Sequence, residues 1–269
     1  DNGTSMAAPV VSGALALVAQ AYPWMSGKQL ADTVLTTANS TFTAPEYVVL
    51  FETATLSVHI VSIDGALGDT LSPEEAERLV RASINEDVDA WVGRDAYALA
   101  AVENGNFDVV QMTKEEVFGQ GILDVGKAVR GIGRLDANRM SAADVTVLDE
   151  LGGRADALET FNTGGHVAEF SNDISQRLWN DGYHHADYQT GGSDPELTQD
   201  ADALAGISRI GLRKAGDGML VLSGTNTYEG ATVVDGGILA VARRTDGTGG
   251  LLETSDVLVH RQGTLTGDG

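Results

Sequence analysis

An uncharged stretch near the start of the chain constrains the fold more than any other feature. No charged residue occurs from Met6 to Gly27. Residues 10–19, VVSGALALVA, are apolar on nearly every face of a helix with 3.6 residues per turn. A helix that is apolar all round is typical of a protein interior. The sequence therefore predicts a buried helix here, and not an amphipathic surface helix.

The residues just before this helix have the chemistry of a helix start. Thr4 and Ser5 both suit an N-cap, and Gly3 lets the backbone approach a substrate because it has no Cβ. The N–H groups of a first turn are unpaired, and the helix dipole favours negative charge there. An anion that forms beside Ser5 would therefore be stabilised. Pro9 has no N–H, so we expect it early in the helix and nowhere deeper.

The run GTSMAAP at residues 3–9 resembles the nucleophile motif of subtilisin-like serine proteases, and the similarity continues to Tyr22 and Pro23. The resemblance implies that Ser5 is the catalytic nucleophile and that its own N–H is one oxyanion-hole donor, with Gly3 and Thr4 close to the substrate. The implied reaction is hydrolysis of peptide bonds through an acyl-enzyme on Ser5. This chemistry needs no cofactor, and we predict none.

The order of the catalytic triad in this family implies that part of the site lies outside the chain. The triad aspartate and histidine both precede the serine in the subtilisin-like order. The sequence starts at Asp1, so it reads as a fragment without the triad aspartate, the triad histidine and the side-chain oxyanion donor. We therefore expect the isolated chain to be inactive. Asp124 lies on the wrong side of Ser5 for a triad acid, and we expect it to cap a short helix at 125–130.

The subtilisin-like pattern continues with a capping box, Ser26 and Gln29, which begins a helix that ends at about Thr37. The next expected motif, a tight glycine turn before a last helix, comes only at 118–124, FGQGILD. We therefore assign residues 1–130 to the carboxyl-terminal part of the protease domain, with an insertion at about 44–117.

The insertion has the features of a small core of its own. Runs rich in β-branched residues at 48–51 and 56–63 predict strands. Ser72 and Pro73 begin a capping box, and the helix after it places Leu79, Val80, Ile84, Val88 and Trp91 on one face. Carboxylates off this face are typical of a solvated surface, which favours decoration of the protease over contact with substrate.

The last third of the chain has a different pattern. Residues 131–206 are polar and rich in turns, with a short helix expected after Ser141, and predict a connector. From residue 207 to 269, short alternating strands are separated by glycine or asparagine turns. A stacked β-solenoid needs this pattern, since each rung buries its inward side chains against the next. The segment resembles the repeat of bacterial autotransporter passengers, in which a β-helix links a secreted domain to an outer-membrane barrel.

Together these features predict the fold class, the location and the partners. We expect a partial α/β fold of the subtilisin type, followed by an all-β region that starts a right-handed parallel β-solenoid at 207–269. The resemblance implies a location at the cell surface of a Gram-negative bacterium, or secretion from it through the outer membrane. The implied partners are protein or peptide substrates, the upstream half of the protease domain, and an outer-membrane translocator barrel outside this chain.

Composition excludes several other classes of function. The chain has 17 basic and 39 acidic residues, a formal net charge of −22, which disfavours binding to nucleic acid or to anionic membranes. It has no cysteine, and hence no disulfide, thiol nucleophile or thiolate metal site. Adjacent side chains such as His184 and His185 point apart, so we predict no metal site. The apolar stretch at 6–19 is too short to span a bilayer.

Two alternatives belong to other classes. The protease part could have degenerated, leaving a surface adhesion or scaffold module presented by the β-helix; the intact motif at Gly3–Met6 argues against this. An esterase of the α/β-hydrolase type fails on local pattern, because Ala7 stands where its nucleophile elbow requires glycine and no strand precedes Ser5.

Overall fold

A computed structural model of the chain describes residues 4–84, 94–179 and 202–269. Two compact units make up the structure. Unit 1 consists of residues 1–39 and 122–269, and unit 2 consists of residues 40–121. Both helices and strands occur throughout, as expected for a mixed fold. Within the described ranges, no helix combines the length and the apolar character needed to cross a membrane.

The helices are, in chain order, α1 (Thr4–Ala21), α2 (Gly27–Thr36), α3 (Pro73–Ser83), α4 (Arg94–Glu103), α5 (Lys114–Phe118) and α6 (Val125–Ala128). The strands are β1 (Tyr47–Glu52), β2 (Ser57–Ile63), β3 (Phe107–Met112), β4 (Arg134–Asp136), β5 (Val145–Leu148), β6 (Arg154–Asn162), β7 (Val167–Phe170), β8 (Ser175–Arg177), β9 (Ile210–Ala215), β10 (Met219–Leu222), β11 (Thr225–Asn226), β12 (Thr232–Val241), β13 (Leu251–Leu252) and β14 (Val257–Gly267).

Parallel ladders dominate the strands of unit 1. β6, β9, β12 and β14 pair in parallel in that order, and β7 and β10 form a second parallel ladder with the later half of β12. Leu212 pairs with Thr232, and Thr232 pairs with Val257, so successive turns of the chain take about 20 and about 25 residues. Each turn thus returns the backbone to the same ladder one strand further along.

The segment expected to be a connector, residues 131–206, contains β4 to β8. Phe161 on β6 and Phe170 on β7 are fully buried, with ring centroids 5.1 Å apart, and Ile174 is buried beside them. The short helix expected after Ser141 is a single 3₁₀ turn at Ala142–Asp144. These strands are short, and glycine pairs at 152–153 and 164–165 flank β6, so their local pattern resembles that of a loop, although side chains such as Phe161 and Phe170 reach the core.

The main core of unit 1 brings residues from α1 and α2 together with residues from the parallel ladders. Val18 and Val34 from the helices belong to the same buried cluster as Leu212 on β9 and Leu220 on β10. The capping box of α2 is present as predicted, with Ser26 accepting from the Gln29 N–H at 3.2 Å. The Gln29 side chain also donates to the Thr160 carbonyl of β6 at 2.9 Å.

Unit 2 is a three-stranded sheet with helices on one face. The order is β1-β2-β3, with β1 antiparallel and β3 parallel to β2. Its core contains Val58 and Ile60 from β2 and Leu79 and Val80 from α3. The predicted strands and the capping box at Ser72 are confirmed. Ile84 is partly buried beyond the end of α3, while Val88 and Trp91 of the predicted helical face lie outside the described residues.

Candidate active site

Ser5 lies in the first turn of α1, which begins at Thr4. Gly3 lies outside the described residues, and for Thr4 and Ser5 the structure describes the backbone alone. The first N–H groups of an α-helix have no partner inside the helix, and the helix dipole places partial positive charge there. The backbone position of Ser5 therefore suits a residue beside which an oxyanion forms.

Pro9 is the sixth residue of α1 and lies beyond the first turn, deeper than predicted from the sequence. Any other residue at this position would donate its N–H to the carbonyl of Ser5, four residues earlier. The Ser5 carbonyl therefore lacks the usual donor four residues later. The helix nevertheless continues to Ala21, and the Ser12 hydroxyl donates to the Ala8 carbonyl at 3.1 Å. Pro9 thus removes one hydrogen bond next to Ser5 without ending the helix.

Helix α1 is buried on one side only, so the prediction of a buried helix is wrong for this chain. Ala14 and Val18 are buried, whereas Val10 is 60%, Val11 is 42% and Leu17 is 49% exposed. Within unit 1, α1 packs against α2 and α6. An apolar helix predicts that its side chains will be covered, but the pattern does not say by which part of a protein.

Tyr22 fastens the carboxyl end of α1 to the strands of unit 1. Its hydroxyl lies 2.8 Å from the Glu169 carbonyl oxygen and 3.2 Å from the Val129 carbonyl oxygen. Its ring packs edge-on against Phe170, with the centroids 5.4 Å apart. Burial, together with the charge of Glu169, raises the pKa of the Tyr22 hydroxyl, which therefore stays protonated and able to donate. The helix that carries Ser5 is thus anchored at its far end.

A group of largely buried charges connects α2 to β6. The Asp32 carboxylate is buried and accepts from Lys28 Nζ at 2.6 Å and from Arg139 Nε at 2.8 Å. Glu159, on β6, is also buried and lies 3.8 Å from Lys28 Nζ. Burial raises the pKa of Glu159 to about 7, and the attraction of Lys28 opposes this rise only in part. Glu159 is therefore a carboxyl group that changes its charge near neutral pH.

The glycine turn predicted before the last helix is confirmed. Gly119 and Gly121 have φ of 58° and 117°, a range that favours glycine. The Asp124 carboxylate accepts from the Lys127 N–H at 2.8 Å and so caps α6 as predicted. The helix is shorter than expected and ends at Ala128.

The described histidines lie in three separate places in the sequence and fold. His59 on β2 bonds to Asp108, His260 on β14 bonds to an aspartate of β12, and the backbone carbonyl of His166 accepts from the N–H that opens β10. The pair at 184–185 lies outside the described residues. Across the described parts of the chain, no three histidine, aspartate or glutamate side chains are grouped so that they could hold a metal ion.

Two segments of the chain match known families. Residues 1–72 match the subtilase family, and these residues include α1 with Ser5 and continue through β1 and β2 of unit 2. Residues 212–241 match the passenger-associated-transport-repeat and run from β9 through β12. The chain therefore joins a subtilisin-like segment to an autotransporter passenger repeat. No curated protein matches the chain.

Sequence reasoning missed the charges that connect α2 to β6. Asp32 and Glu159 lie 127 positions apart, and each is of a residue type that is usually exposed. One signal was present, since Asp32 is followed directly by Thr33 and Val34 on the buried side of α2. A carboxylate on the core side of a helix indicates a buried partner, but not which residue provides it.

Proposed function

We propose that this chain is the carboxyl-terminal part of a subtilisin-like serine endopeptidase carried on an autotransporter passenger, with Ser5 as its nucleophile. The observation that supports this best is the place of Ser5 in the first turn of α1, within the segment that matches the subtilase family. The passenger repeat at 212–241 supports the second half of the proposal.

In this proposal, Ser5 Oγ attacks the carbonyl carbon of a peptide bond in a protein or peptide substrate. The N–H of Ser5 stabilises the oxyanion, and Gly3 and Thr4 lie close to the substrate backbone. A histidine accepts the proton of Ser5 and returns it to the leaving amine, while an aspartate orients that histidine. Both would be contributed by residues that precede Ser5, so we expect a polypeptide of these 269 residues alone to be inactive. No cofactor takes part.

The exposed side of α1 supports a partner for the amino-terminal end of the chain. Val10, Val11 and Leu17 are apolar and open to solvent, and among the described side chains of this helix Ala14 and Val18 are the buried ones. Burying such side chains stabilises a fold by about 25 cal/mol for each Å² of apolar surface. We propose that the upstream half of the protease domain covers this side of α1.

We further propose that the parallel ladders begin a right-handed β-solenoid, with passenger-type rungs at 207–269. Parallel pairing of β9, β12 and β14, in turns of about 20 and about 25 residues, supports a coiled path. The right hand follows from the strong preference of parallel crossover connections for that hand. A passenger of this type would place the protein at the surface of a Gram-negative cell or release it there, with the translocator barrel outside this chain.

The proposal is tested on the full-length parent protein, displayed on cells and treated with a fluorescent fluorophosphonate, which labels activated serines. We expect labelling that is lost in Ser5→Ala and kept in Ser12→Ala, a matched variant on the same helix whose hydroxyl donates to the Ala8 carbonyl. Absence of labelling in a folded, displayed parent would refute the proposed nucleophile and favour the adhesion or scaffold function. Hydrolysis by the 269-residue chain above its Ser5→Ala variant would refute the expected inactivity.

A further inference from the structure

Three polar side chains lie side by side on the sheet of unit 2, on the face opposite to its helices. Val58 and Ile60 of β2 belong to the core beneath the helices. Side chains alternate along a strand, so Ser57 and His59 project from the other face. Asp108 on β3 is the direct cross-strand neighbour of His59 and shares that face. The pairing of β2 with β3 therefore brings together His59 and Asp108, which are 49 positions apart in the sequence.

The three side chains are bonded in a defined order. His59 Nδ1 lies 2.7 Å from Asp108 Oδ1, and His59 Nε2 lies 3.3 Å from Ser57 Oγ. A carboxylate on Nδ1 holds the Nδ1–H tautomer, which leaves the lone pair of Nε2 directed at the hydroxyl. The order carboxylate, imidazole, hydroxyl is the one that activates a serine in hydrolases, and the hydroxyl contact is often loose without substrate.

The backbone before Ser57 is held in an unusual conformation. Leu56 has φ of 54°, a left-handed value that non-glycine residues rarely adopt. The Asn106 side chain donates to the Leu56 carbonyl at 2.7 Å and so helps to hold this turn. Backbone strain of this kind is concentrated at sites where a side chain must be presented in a fixed position. Here the left-handed conformation of Leu56 sets the backbone direction at Ser57, the first residue of β2.

A second hydroxyl limits the reactivity of Ser57 in the resting state. Thr55 Oγ1 lies 2.6 Å from Ser57 Oγ and donates its own proton to the Glu52 carboxylate. The Thr55 oxygen therefore faces Ser57 as a competing acceptor for the Ser57 proton. Glu52 Oε2 also lies 3.8 Å from His59 Nε2, on the same side of the ring as the Ser57 hydroxyl.

Apolar side chains beside these residues define what could bind. Leu50 pairs with His59 across the sheet on the same face and is 52% exposed, and Leu56 is 53% exposed. Exposed apolar side chains next to the hydroxyl favour an acyl group with a short apolar chain over a polar one. A negatively charged acyl group would be disfavoured by the carboxylates of Glu52 and Asp108.

We propose that Ser57, His59 and Asp108 form a second acyl-transfer site, separate from Ser5, that acts on small uncharged esters. Ser57 Oγ attacks the ester carbonyl carbon, and its proton passes to His59 Nε2. The bond to the leaving oxygen breaks, and that oxygen takes the proton from Nε2. Water then attacks the acyl-Ser57, gives a proton to Nε2, and releases the carboxylic acid as Ser57 regains a proton. Asp108 is a positioning residue that acts through His59.

The test uses the full chain with Ser5→Ala, so that the result is independent of the proposed protease nucleophile. The protein is incubated with p-nitrophenyl acetate and, separately, with a fluorophosphonate, and the modified residue is located by peptide mass spectrometry. We expect an adduct on Ser57 and release of p-nitrophenol that is lost in Ser57→Ala. Ser83→Ala is the matched control, since the hydroxyl of this unit 2 serine donates to the Val80 carbonyl of its own helix.

Three further variants test the roles of the neighbours. His59→Gln should lower the rate of Ser57 acylation by about 10²-fold, the usual effect of losing a general base. Asp108→Asn should lower it less, and Asp108→Glu should restore part of the loss, which a purely structural role would not produce. Thr55→Val should raise the rate because it removes the competing acceptor. An absence of any Ser57 adduct in the folded protein, or equal acylation with His59→Gln, would overturn the proposal.

Discussion

Replacing Glu159 by glutamine should stabilise unit 1 at neutral and alkaline pH. Glu159 is buried on β6, and its nearest cation, Lys28 at 3.8 Å, already bonds to Asp32 at 2.6 Å. Asp32 and Asp144 add negative potential at the same place. A charged Glu159 therefore costs free energy that a neutral amide of nearly the same shape would avoid.

The magnitude follows from the pKa of Glu159, which burial raises from its ordinary 4.5 to about 7. A raised carboxyl pKa means that the folded state binds the proton more tightly than the unfolded state. Its contribution to stability is therefore complete below pH 4.5 and is lost as the pH rises through 7. The difference corresponds to about 3 kcal/mol in the free energy of unfolding. Glu159→Gln should be more stable than the parent at pH 8 by up to this amount, and nearly equal to it at pH 4.5.

The assay is urea unfolding followed by tryptophan fluorescence at pH 4.5, 6 and 8. A Trp91→Phe background leaves Trp24 and Trp179, which both pack against the core of unit 1. Glu253→Gln, at an exposed position of the same unit, is the matched control for the change in net charge. An effect of Glu159→Gln that is independent of pH, or one equal to that of Glu253→Gln, would refute the reasoning.

Two further substitutions test the parallel ladders by the same unfolding assay. The Lys214 ammonium donates to the carbonyl oxygens of Ala215 and Gly216 at 2.8 Å and of Gly236 at 3.1 Å. Lys214→Met leaves these carbonyls without that donor, so it should lower the free energy of unfolding by about 2 kcal/mol. A decrease too small to measure would contradict this. Gly218→Ala should lower the free energy of unfolding by about 1–3 kcal/mol, because the new Cβ would overlap the His166 carbonyl oxygen. In the control, Gly206→Ala, the new Cβ meets nothing within 4 Å. Equal decreases for the two variants would count against stacked turns.

Features that depend on a few consecutive residues could be predicted from the sequence. The capping boxes at Ser26 and Ser72 and the N-cap at Asp124 all lie where the sequence indicated, because each needs only residues within one helical turn. The glycine turn at Gly119 and Gly121 was predicted for the same reason. Ser5 also falls in this class, since its position at the start of α1 follows from the local pattern.

Features that depend on contacts between distant residues could not be predicted. The strands between residues 134 and 177 are three to nine residues long, and a hydrophobic period cannot be recognised reliably in so few positions. No local sequence pattern connects Asp108 with His59, because their proximity follows from the register in which β2 and β3 pair. The exposure of Val10 and Val11 likewise depends on which elements pack against α1.

The helix that carries Ser5 and the parallel ladders share one hydrophobic core, which bears on how the two matched segments depend on each other. Val18 of α1 and Tyr22, which directly follows α1, belong to the same cluster as Phe170 of β7 and Leu220 of β10. Tyr22 also donates to the backbone beside Phe170. Because side chains from both segments remove the same surface from water, neither can complete this core by itself. The ladders therefore stabilise the end of α1 opposite Ser5, and the passenger repeat is part of the scaffold that supports the proposed nucleophile.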